Sequence, residues 1–382
     1  MNPAPQTEGA GRVLIIGGGS GGHISPGLAV AEALATMGGS CHVLCSERAI
    51  DSKMLSREGV SFQPVPAKPF SKRPRGLLKC LRGMQLSSRH ARILLDEQRF
   101  DSVLALGGFV AASVMPGIVA ARRNSRCAFH GPVVLLNLDC VPGKANRRIA
   151  GQADLVMSTV PTVEDGFASS ITGLPIRSAA LASAGPEQCR EALGLDPNRQ
   201  VILVTGASQG ASSLNRLMKR LLEKENSALS GSQIIHLTGS DGDQELQETY
   251  ARAGIQACVR PFLDEMGLAW GAASVAISRA GANSVGEIQA NAVPAIFLPY
   301  PYHRDQHQLF NAKPLVDAGG AHVVQDRDDM PTSDEVGHLV ENMLNNPTER
   351  RAMAEALASQ ARPDAAEAVA ALLLAAANVR RP

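Results

Sequence analysis

The chain has 382 residues, which is long for a single hydrophobic core and favours two domains. Its formal net charge of +1 argues against a dedicated nucleic-acid-binding protein, because such proteins usually carry a strong basic excess. Seven cysteines without paired or metal-ligand spacing are typical of reduced thiols in a cytosolic protein. The N-terminus lacks a signal-peptide pattern, and the longest apolar tract, 368–379, is shorter than a bilayer-spanning helix requires. We therefore expect a soluble or peripheral protein.

Two similar segments open the two halves of the chain. A β-branched strand at 13–16 runs into the turn GGGSGGHISP and a helix, and a strand at 201–205 runs into GASQGASS and a helix. A strand, a Gly-rich turn and a helix commonly begin a doubly wound half, so the sequence predicts an α/β protein with two Rossmann-like parallel sheets. Residues 172–199, rich in Ala, Gly, Ser and Pro, are predicted to link the halves. The predicted strands are 13–16, 41–45, 103–106, 133–136 and 155–158, then 201–205, 234–238, 257–260, 274–278, 293–298 and 321–324.

The first Gly-rich turn matches the pattern GxGxxG at Gly17, Gly19 and Gly22. Residues without a Cβ allow backbone N–H groups to approach a phosphate closely. A dinucleotide site also needs an acid at the end of the second strand, and Glu47 lies roughly there. An NAD-dependent oxidoreductase is therefore one alternative that this turn leaves open.

His23 lies in the same turn, ahead of Ser25 and Pro26, which predict a helix N-cap and a first helical residue. The positive end of the helix dipole disfavours an imidazolium, so we expect a neutral ring. A neutral imidazole that faces a sugar could accept a proton from an attacking hydroxyl. The alternative is a structural histidine that only hydrogen-bonds the loop.

The segment from Lys68 to Arg92 contains eight Lys and Arg residues and no acid. Within it, apolar residues recur on one face of a predicted helix: Leu77, Leu78, Leu81 and Met84. A basic amphipathic helix of this kind is typical of an element that binds an anionic membrane surface. The alternative is that the leucines face the domain core and the charges are merely solvated.

Two further patterns concern phosphate and metal binding. The second Gly-rich turn, 206–211, offers backbone donors and the Ser208 hydroxyl to a phosphate, or is only a tight strand–helix connection. It lacks the lysine of a P-loop, which argues against NTP hydrolysis. The cluster of His303, Asp305 and His307 could suggest a metal, but alternation along a loop spreads such side chains. We therefore expect no metal.

The stretch 278–312 combines a strand, a Gly-rich turn and a helix that carries Glu287, then a strand, a loop and a helix that carries Gln308 and Asn311. Both strand-to-helix junctions would lie at the carboxyl edge of a parallel sheet, where open α/β folds bind ligands. One acid, several neutral hydrogen-bonding groups and a helix N-terminus suit a nucleotide-sugar. Ser284 and Glu287 also fit a capping box, which is the structural alternative.

Four segments together resemble the MurG-type glycosyltransferases of glycosyltransferase family 28. In chain order they are GGGSGGHISPGLAVAEAL, GASQGASSLN, SRAGANSVGE and HQLFNA. The resemblance runs from about residue 12 to about residue 360 and implies a GT-B fold, with two Rossmann-like domains facing across a cleft. It implies inverting transfer of GlcNAc from UDP-GlcNAc to undecaprenyl-pyrophosphoryl-MurNAc-pentapeptide in peptidoglycan synthesis. It further implies no cofactor, and a peripheral position on the cytoplasmic face of the cell (inner) membrane.

The resemblance also implies a role for each matching residue. Residues 1–177 would form the acceptor and membrane side, with the helix 362–382 packing back on it, and 178–361 the donor side. His23 would be the catalytic base beside the acceptor pyrophosphate. Glu287 would bind the ribose diol, and the backbone of Leu263 would meet uracil. The full expected donor-binding set is Ser20, Gly21, Gly22, Asp139, Arg177, Ser208, Leu263, Ala282, Asn283, Ser284, Val285, Gly286, Glu287, Gln308 and Asn311.

One segment departs from the family pattern. The family's HEQN reads Leu136-Asn137-Leu138-Asp139 here, and Asp139 stands where an asparagine is expected. A carboxylate near phosphates is unfavourable unless it is paired, with Lys144 and Arg177 as the candidates. This departure leaves open a GT-B enzyme with another lipid or small-molecule acceptor, or a donor-binding protein that has lost catalysis. The NAD-dependent alternative would leave the second Gly-rich turn and 278–312 unexplained.

Overall fold

The computed structural model describes residues 11–19, 21–124, 127, 129–206, 212–223, 228–239 and 243–378. The described chain divides into two compact units, each built around one parallel sheet. The first unit ends at Arg177 and includes the chain again from Pro363, and the second spans Ser178–Arg362. Strands and helices alternate along both units, so the predicted α/β class with two Rossmann-like parallel sheets is confirmed.

The strands are numbered in chain order. They are β1 (Arg12–Ile16), β2 (Ser40–Ser46), β3 (Phe62–Val65), β4 (Ser102–Ala105), β5 (Val133–Asn137), β6 (Leu155–Ser158), β7 (Ser170–Ile171), β8 (Val201–Thr205), β9 (Gln233–Leu237), β10 (Ala257–Arg260), β11 (Val275–Ser278), β12 (Ala295–Phe297) and β13 (Ala321–Val323).

The helices are numbered in the same way. They are α1 (Gly21–Thr36), α2 (Ala49–Arg57), α3 (Pro74–Glu97), α4 (Gly108–Arg123), α5 (Lys144–Ala150), α6 (Pro186–Ala192), α7 (Ser212–Leu222), α8 (Asp243–Arg252), α9 (Met266–Ala272), α10 (Ala282–Ala290), α11 (His307–Asp317), α12 (Met330–Asn345), α13 (Pro347–Gln360) and α14 (Ala365–Asn378).

In the first unit, the described residues form a parallel sheet of seven strands in the order β3-β2-β1-β4-β5-β6-β7. The strand order reverses between β1 and β4, which pair in register with Ile15 opposite Leu104. The turns after β1 and β4 therefore lie side by side at the carboxyl edge, at the switch point where doubly wound folds bind ligands. The C-terminal helix α14 packs against α1 and buries Val369 and Leu373.

In the second unit, the sheet seen within the described ranges has six parallel strands in the order β10-β9-β8-β11-β12-β13. Its switch point lies between β8 and β11, where Thr205 pairs opposite Ser278. The turns after these two strands are the second Gly-rich turn and the turn that opens 278–312. The topology thus places the ends of β8 and β11 side by side, and residues 207–211 of the second Gly-rich turn lie outside the described residues.

Two details differ from the sequence-based expectations. The predicted linker 172–199 contains α6, and Cys189, Leu193 and Leu195 bury in the core of the second unit. Small and polar residues dominate this stretch, so the three apolar residues that pack together were not recognised as part of a folded element. The edge strands β3 and β7 were also missed, because they are short and pair on one side only, so they carry no long apolar run.

Candidate active site

His23 lies in the first turn of α1, against the turn that follows β4. A Cβ added at Gly108 would lie 3.2 Å from His23 Nε2, so the main chain of this turn approaches the imidazole closely. Gly107 and Gly108 have φ values of 84° and 72°, a conformation that glycine adopts without strain. The sequence-based reasoning did not identify this turn, although two glycines directly after a buried strand are a recognisable signal.

The start of α1 differs from the prediction. The helix begins at Gly21, so Ser25 is not its N-cap and Pro26 lies inside the helix. The helix thus extends by about one turn ahead of the proline. The Ser25 hydroxyl instead accepts a hydrogen bond from Arg177 Nε at 3.3 Å. His23 therefore belongs to the first helical turn itself, where the dipole disfavours a positive charge.

Burial and the nearby charges have opposite effects on the pKa of His23. Burial lowers the pKa of His23 below its ordinary value, and the nearby carboxylates of Asp139 and Asp51 oppose that effect. The imidazole is therefore neutral near pH 7 and able to accept a proton. The same two carboxylates favour the imidazolium that forms when the ring takes up that proton.

The buried carboxylate of Asp51 accepts a hydrogen bond from the backbone of the first Gly-rich turn. Asp51 Oδ2 accepts hydrogen bonds from Gly19 N at 2.7 Å, from Ser46 N at 3.1 Å and from Ser46 Oγ at 2.6 Å. A pyrophosphate bound at this turn would need the Gly19 N–H and would be repelled by the carboxylate. Glu47, the expected ribose ligand of a dinucleotide, is half exposed and pairs with Lys68. These contacts argue against the NAD-dependent alternative.

The segment 136–139, which departs from the family pattern, is joined to the turn after β4 by hydrogen bonds between amide side chains. Asn146 Nδ2 donates to Asn137 Oδ1 at 2.8 Å, and Asn146 Oδ1 accepts from Gly108 N at 3.3 Å. Asn137 Nδ2 donates to the carbonyl of Asp139 at 2.7 Å. The end of β5 therefore positions both Asp139 and the glycine that lies against His23.

Arg177 does not fill the expected role of a partner for Asp139. Its Nη1 lies 3.3 Å from Glu58 Oε1 in an ion pair, and its Nε donates to Ser25. Arg177 is buried and ties the first helix of the unit to the residue that follows α2. The second candidate partner, Lys144, is exposed.

The exposed face of α3 is apolar and basic. Leu78 and Leu81 are 68% and 48% exposed, and Phe70, just ahead of the helix, is 71% exposed. The helix packs against α4 through its other face, which buries Gly83, Ser87, Ala91, Leu94 and Leu95. The alternative in which the leucines face the domain core is therefore wrong for Leu78 and Leu81. No helix in the described ranges has both the length and the apolarity needed to cross a bilayer.

In the second unit, the N-terminus of α10 has no side-chain cap. The helix begins at Ala282 after Gly281, an N-cap without a side chain to accept from the first N–H groups. Ser284 is thus the third helical residue and Glu287 the sixth, so the predicted capping-box alternative is wrong. The expected donor loop, Ala282, Asn283, Ser284, Val285 and Gly286, forms the first turn and a half of this helix. Such an end suits a phosphate.

The carboxylate of Glu287 is held by a residue that the sequence-based reasoning missed. Trp270 Nε1, on α9, donates to Glu287 Oε2 at 3.0 Å. The indole is 2% exposed and packs in the same apolar cluster as Leu263, the residue expected to meet uracil. Leu263, which is expected to contact uracil, lies in this cluster, and Glu287, which is expected to bind ribose, is hydrogen-bonded to it.

The two residues expected to contact the sugar lie on α11, which packs against α10. Gln308 Oε1 accepts from Tyr300 N at 2.8 Å, which orients the amide and leaves its NH₂ group as the donor. Asn311 is buried, and its Nδ2 donates to the carbonyl of Ala280 at 3.4 Å. Gln308 and Asn311 are thus fixed by the backbone of the two loops at the carboxyl edge.

A buried arginine is a further unpredicted feature of this edge. Arg279, directly after β11, pairs with Asp326 Oδ2 at 2.7 Å and donates to Ser213 Oγ at 2.6 Å. Both charges are almost fully buried and compensate each other. Two of the expected donor residues, Ser20 and Ser208, lie outside the described residues.

The His303, Asp305 and His307 segment has a local structural role. Asp305 Oδ1 lies 2.8 Å from His307 Nδ1, and the rings of His303 and His307 stack with centroids 4.4 Å apart. The hydrogen bond from His307 holds the pKa of Asp305 below its ordinary value. Among the residues that the structure describes, no three His, Cys, Asp or Glu side chains form a group that could hold a metal.

Comparison with known proteins identifies the family. The glycosyltransferase family 28 N-terminal domain matches residues 13–158, and the C-terminal domain of the same family matches 201–369. A Nocardioides protein named UDP-N-acetylglucosamine--N-acetylmuramyl-(pentapeptide) pyrophosphoryl-undecaprenol N-acetylglucosamine transferase is 35% identical over 369 residues, which cover 95% of this chain and 97% of the relative. A protein of the same name from Verminephrobacter eiseniae is 36% identical over 319 residues, which cover 82% and 84%.

A solved structure agrees with this result. The crystal structure of Acinetobacter baumannii MurG matches with a TM-score of 0.69 and 26% identity, covering 95% of this chain and 98% of that one. The chain belongs to the MurG-type N-acetylglucosaminyltransferases of glycosyltransferase family 28 and has their GT-B fold.

Proposed function

We propose that this protein transfers GlcNAc from UDP-GlcNAc to the 4-hydroxyl of MurNAc in undecaprenyl-pyrophosphoryl-MurNAc-pentapeptide, with inversion at the anomeric carbon. The observation that carries the proposal is that relatives 32–36% identical over most of the chain are named for this reaction. The site geometry supports it, because the acid, the amides and an uncapped helix N-terminus lie at one edge of the second sheet.

On the donor side, each group has a part of UDP-GlcNAc that it suits. The carboxylate of Glu287 would accept hydrogen bonds from the two ribose hydroxyls, which are stronger than bonds between neutral groups. The first N–H groups of α10 would bind the diphosphate, assisted by the helix dipole. The amides of Gln308 and Asn311 would bind GlcNAc hydroxyls, and the backbone of Leu263 would meet uracil.

On the acceptor side, His23 would act as the general base. Its neutral imidazole takes the proton of the 4-hydroxyl, the oxygen forms a bond to C1 of α-linked GlcNAc, and the bond from C1 to the phosphate oxygen breaks. UDP leaves with both electrons of that bond, and its charge is stabilised by backbone N–H groups at the helix N-terminus. Asp139 and Asp51 then stabilise the imidazolium.

Substitution of His23 tests this assignment. His23→Ala should lower kcat by about 100-fold or more, which is the usual contribution of a positioned base. The Kd for UDP-GlcNAc should stay within the error of the wild-type value, since the ring does not contact the donor in this scheme. Unchanged turnover would remove His23 from the mechanism.

The exposed face around Phe70, Leu78 and Leu81 supports a peripheral membrane position. We place the protein on the cytoplasmic face of the inner membrane, where a lipid-linked acceptor and a soluble nucleotide-sugar are both accessible. The apolar side chains would enter the headgroup region while the basic residues meet anionic lipid.

The segment Leu136-Asn137-Leu138-Asp139 motivates the alternative of donor binding without transfer, and a different acceptor remains the other alternative. Both are tested by offering labelled UDP-GlcNAc with either a lipid-linked MurNAc-peptide or diacylglycerol. Transfer to the first alone supports the proposal. Donor binding without transfer to either would support a protein that has lost catalysis.

A further inference from the structure

The hydrogen bond to Glu287 comes from the only tryptophan in the chain. An indole has one polar group, an N–H that can only donate, and this group usually finds a partner when the ring is buried. Trp270 has that partner in Glu287 Oε2, at 3.0 Å. The bond therefore fixes one carboxylate oxygen of a residue whose terminal torsion is otherwise broadly populated.

Both partners of this bond are themselves held in place. Trp270 is 2% exposed within an apolar cluster that also contains Leu263. Asn291, at the end of α10, donates to the carbonyl of Glu287 at 2.8 Å and to the carbonyl of Ala180 at 3.0 Å. The backbone that carries the carboxylate is thus anchored independently of the indole, so loss of the indole N–H would remove a fixed contact of the side chain and leave the helix in place.

We propose that Trp270 is a positioning residue that orients the Glu287 carboxylate for the ribose diol of the donor. The inference rests on the proposed function, in which Glu287 binds that diol. A carboxylate can accept about four hydrogen bonds, so one bond from the indole does not exhaust its capacity for two hydroxyls. Without Trp270 the carboxylate would lose this fixed contact, and the affinity for the diol would fall by the cost of restoring the orientation on binding.

The first test removes the hydrogen-bond donor of Trp270 and keeps an aromatic ring at that position. Trp270→Phe should raise the Kd of UDP about tenfold, since a hydrogen bond to a charged group is among the stronger ones. The Kd of 2′,3′-dideoxy-UDP, which lacks both hydroxyls, should hardly change, and kcat should stay near the wild-type value. A role in packing alone would weaken the two nucleotides equally.

The matched control is Tyr250→Phe. It also removes one buried donor from the second unit, because the Tyr250 hydroxyl lies 2.8 Å from His236 Nδ1. This control should keep the wild-type ratio of the two dissociation constants. An unchanged ratio in Trp270→Phe, or an equal change in both variants, would refute the positioning role.

A second measurement uses the native residue and does not depend on the folding of a variant. The single tryptophan gives one indole N–H cross-peak in a ¹H–¹⁵N spectrum. UDP and Glu287→Gln should each move this peak, whereas 2′,3′-dideoxy-UDP should leave it close to its free position. If UDP binds and the peak stays in place, the role of Trp270 is wrong. If UDP and UDP-GlcNAc do not bind at all, the donor assignment itself fails.

Discussion

Replacement of two exposed apolar residues, Phe70 and Leu78, by serine should release the protein from anionic vesicles without unfolding it. Their side chains are 71% and 68% exposed. Full burial of a Phe or Leu side chain contributes roughly 1.5–3 kcal/mol, so the exposed parts correspond to about 1–2 kcal/mol each. Together they amount to about 2–4 kcal/mol, and each 1.4 kcal/mol is tenfold. The vesicle partition coefficient should therefore fall by roughly 30-fold to 1,000-fold.

The basic residues of the same segment contribute a part that salt can remove. A Lys or Arg near an anionic leaflet contributes about 1 kcal/mol, and the segment from Lys68 to Arg92 contains eight of them. Two of these are already engaged in the protein, Lys68 with Glu47 and Arg92 with Asp96. Raising the ionic strength from 0.1 M to 1 M shortens the Debye length from about 10 Å to about 3 Å. Salt should therefore weaken the binding of the wild type to anionic vesicles. The serine substitutions should weaken the apolar part of the binding that persists at high salt.

The assay is flotation with vesicles of phosphatidylglycerol or of phosphatidylcholine. Val163→Ser is the matched control, because Val163 is 51% exposed on the same unit but lies outside the basic segment. The control should bind as the wild type does, and all variants should melt at the same temperature. Equal binding by the double variant and the wild type, or an equal loss in the control, would refute the membrane role of this face.

Three further predictions concern charged and titratable groups. Asp139→Asn removes an anion that raises the pKa of His23, so the acid limb of the kcat/KM profile should move to lower pH, and a shift to higher pH would contradict the account. Asp51→Ala deprives Gly19 and Ser46 of a buried acceptor and should lower the free energy of unfolding of the first unit by roughly 2–5 kcal/mol in urea titrations. Burial lowers the pKa of His236 to about 3, so between about pH 3 and pH 6.5 only the unfolded state binds this proton. As the pH is lowered through this range, the free energy of unfolding should fall by up to about 1.4 kcal/mol per pH unit, and His236→Asn should reduce that slope.

The central strands could be predicted from the sequence for a physical reason that also guided the choice of donor-side candidates. Central parallel strands are buried on both faces, so they appear as apolar runs such as VILVT in β8. The residues that follow such runs lie at the carboxyl edge, which is why Glu287, Gln308 and Asn311 were expected to lie near one another, and their helices α10 and α11 do pack together. Local pattern and tertiary position coincide there.

Other contacts depend on packing between distant segments, and no local pattern encodes them. Trp270 comes from the helix ahead of β11, and its indole meets Glu287 only because α9 and α10 share one apolar cluster. Asp51 resembles an ordinary acid in the first turn of α2, yet it reaches the first Gly-rich turn. The N-cap expected at Ser25 was wrong, because the helix begins at Gly21 and the Ser25 hydroxyl accepts from the distant Arg177.

The central claim is transfer of GlcNAc to a lipid-linked MurNAc-peptide, and the most direct measurement is of that transfer. Purified protein would be given UDP-GlcNAc labelled in the sugar and undecaprenyl-pyrophosphoryl-MurNAc-pentapeptide in vesicles. We expect a labelled lipid that carries a β-linked disaccharide, formed by the wild type and about 100-fold more slowly by His23→Ala. Absence of labelled lipid from a protein that still binds UDP-GlcNAc, or equal rates for the two proteins, would contradict it.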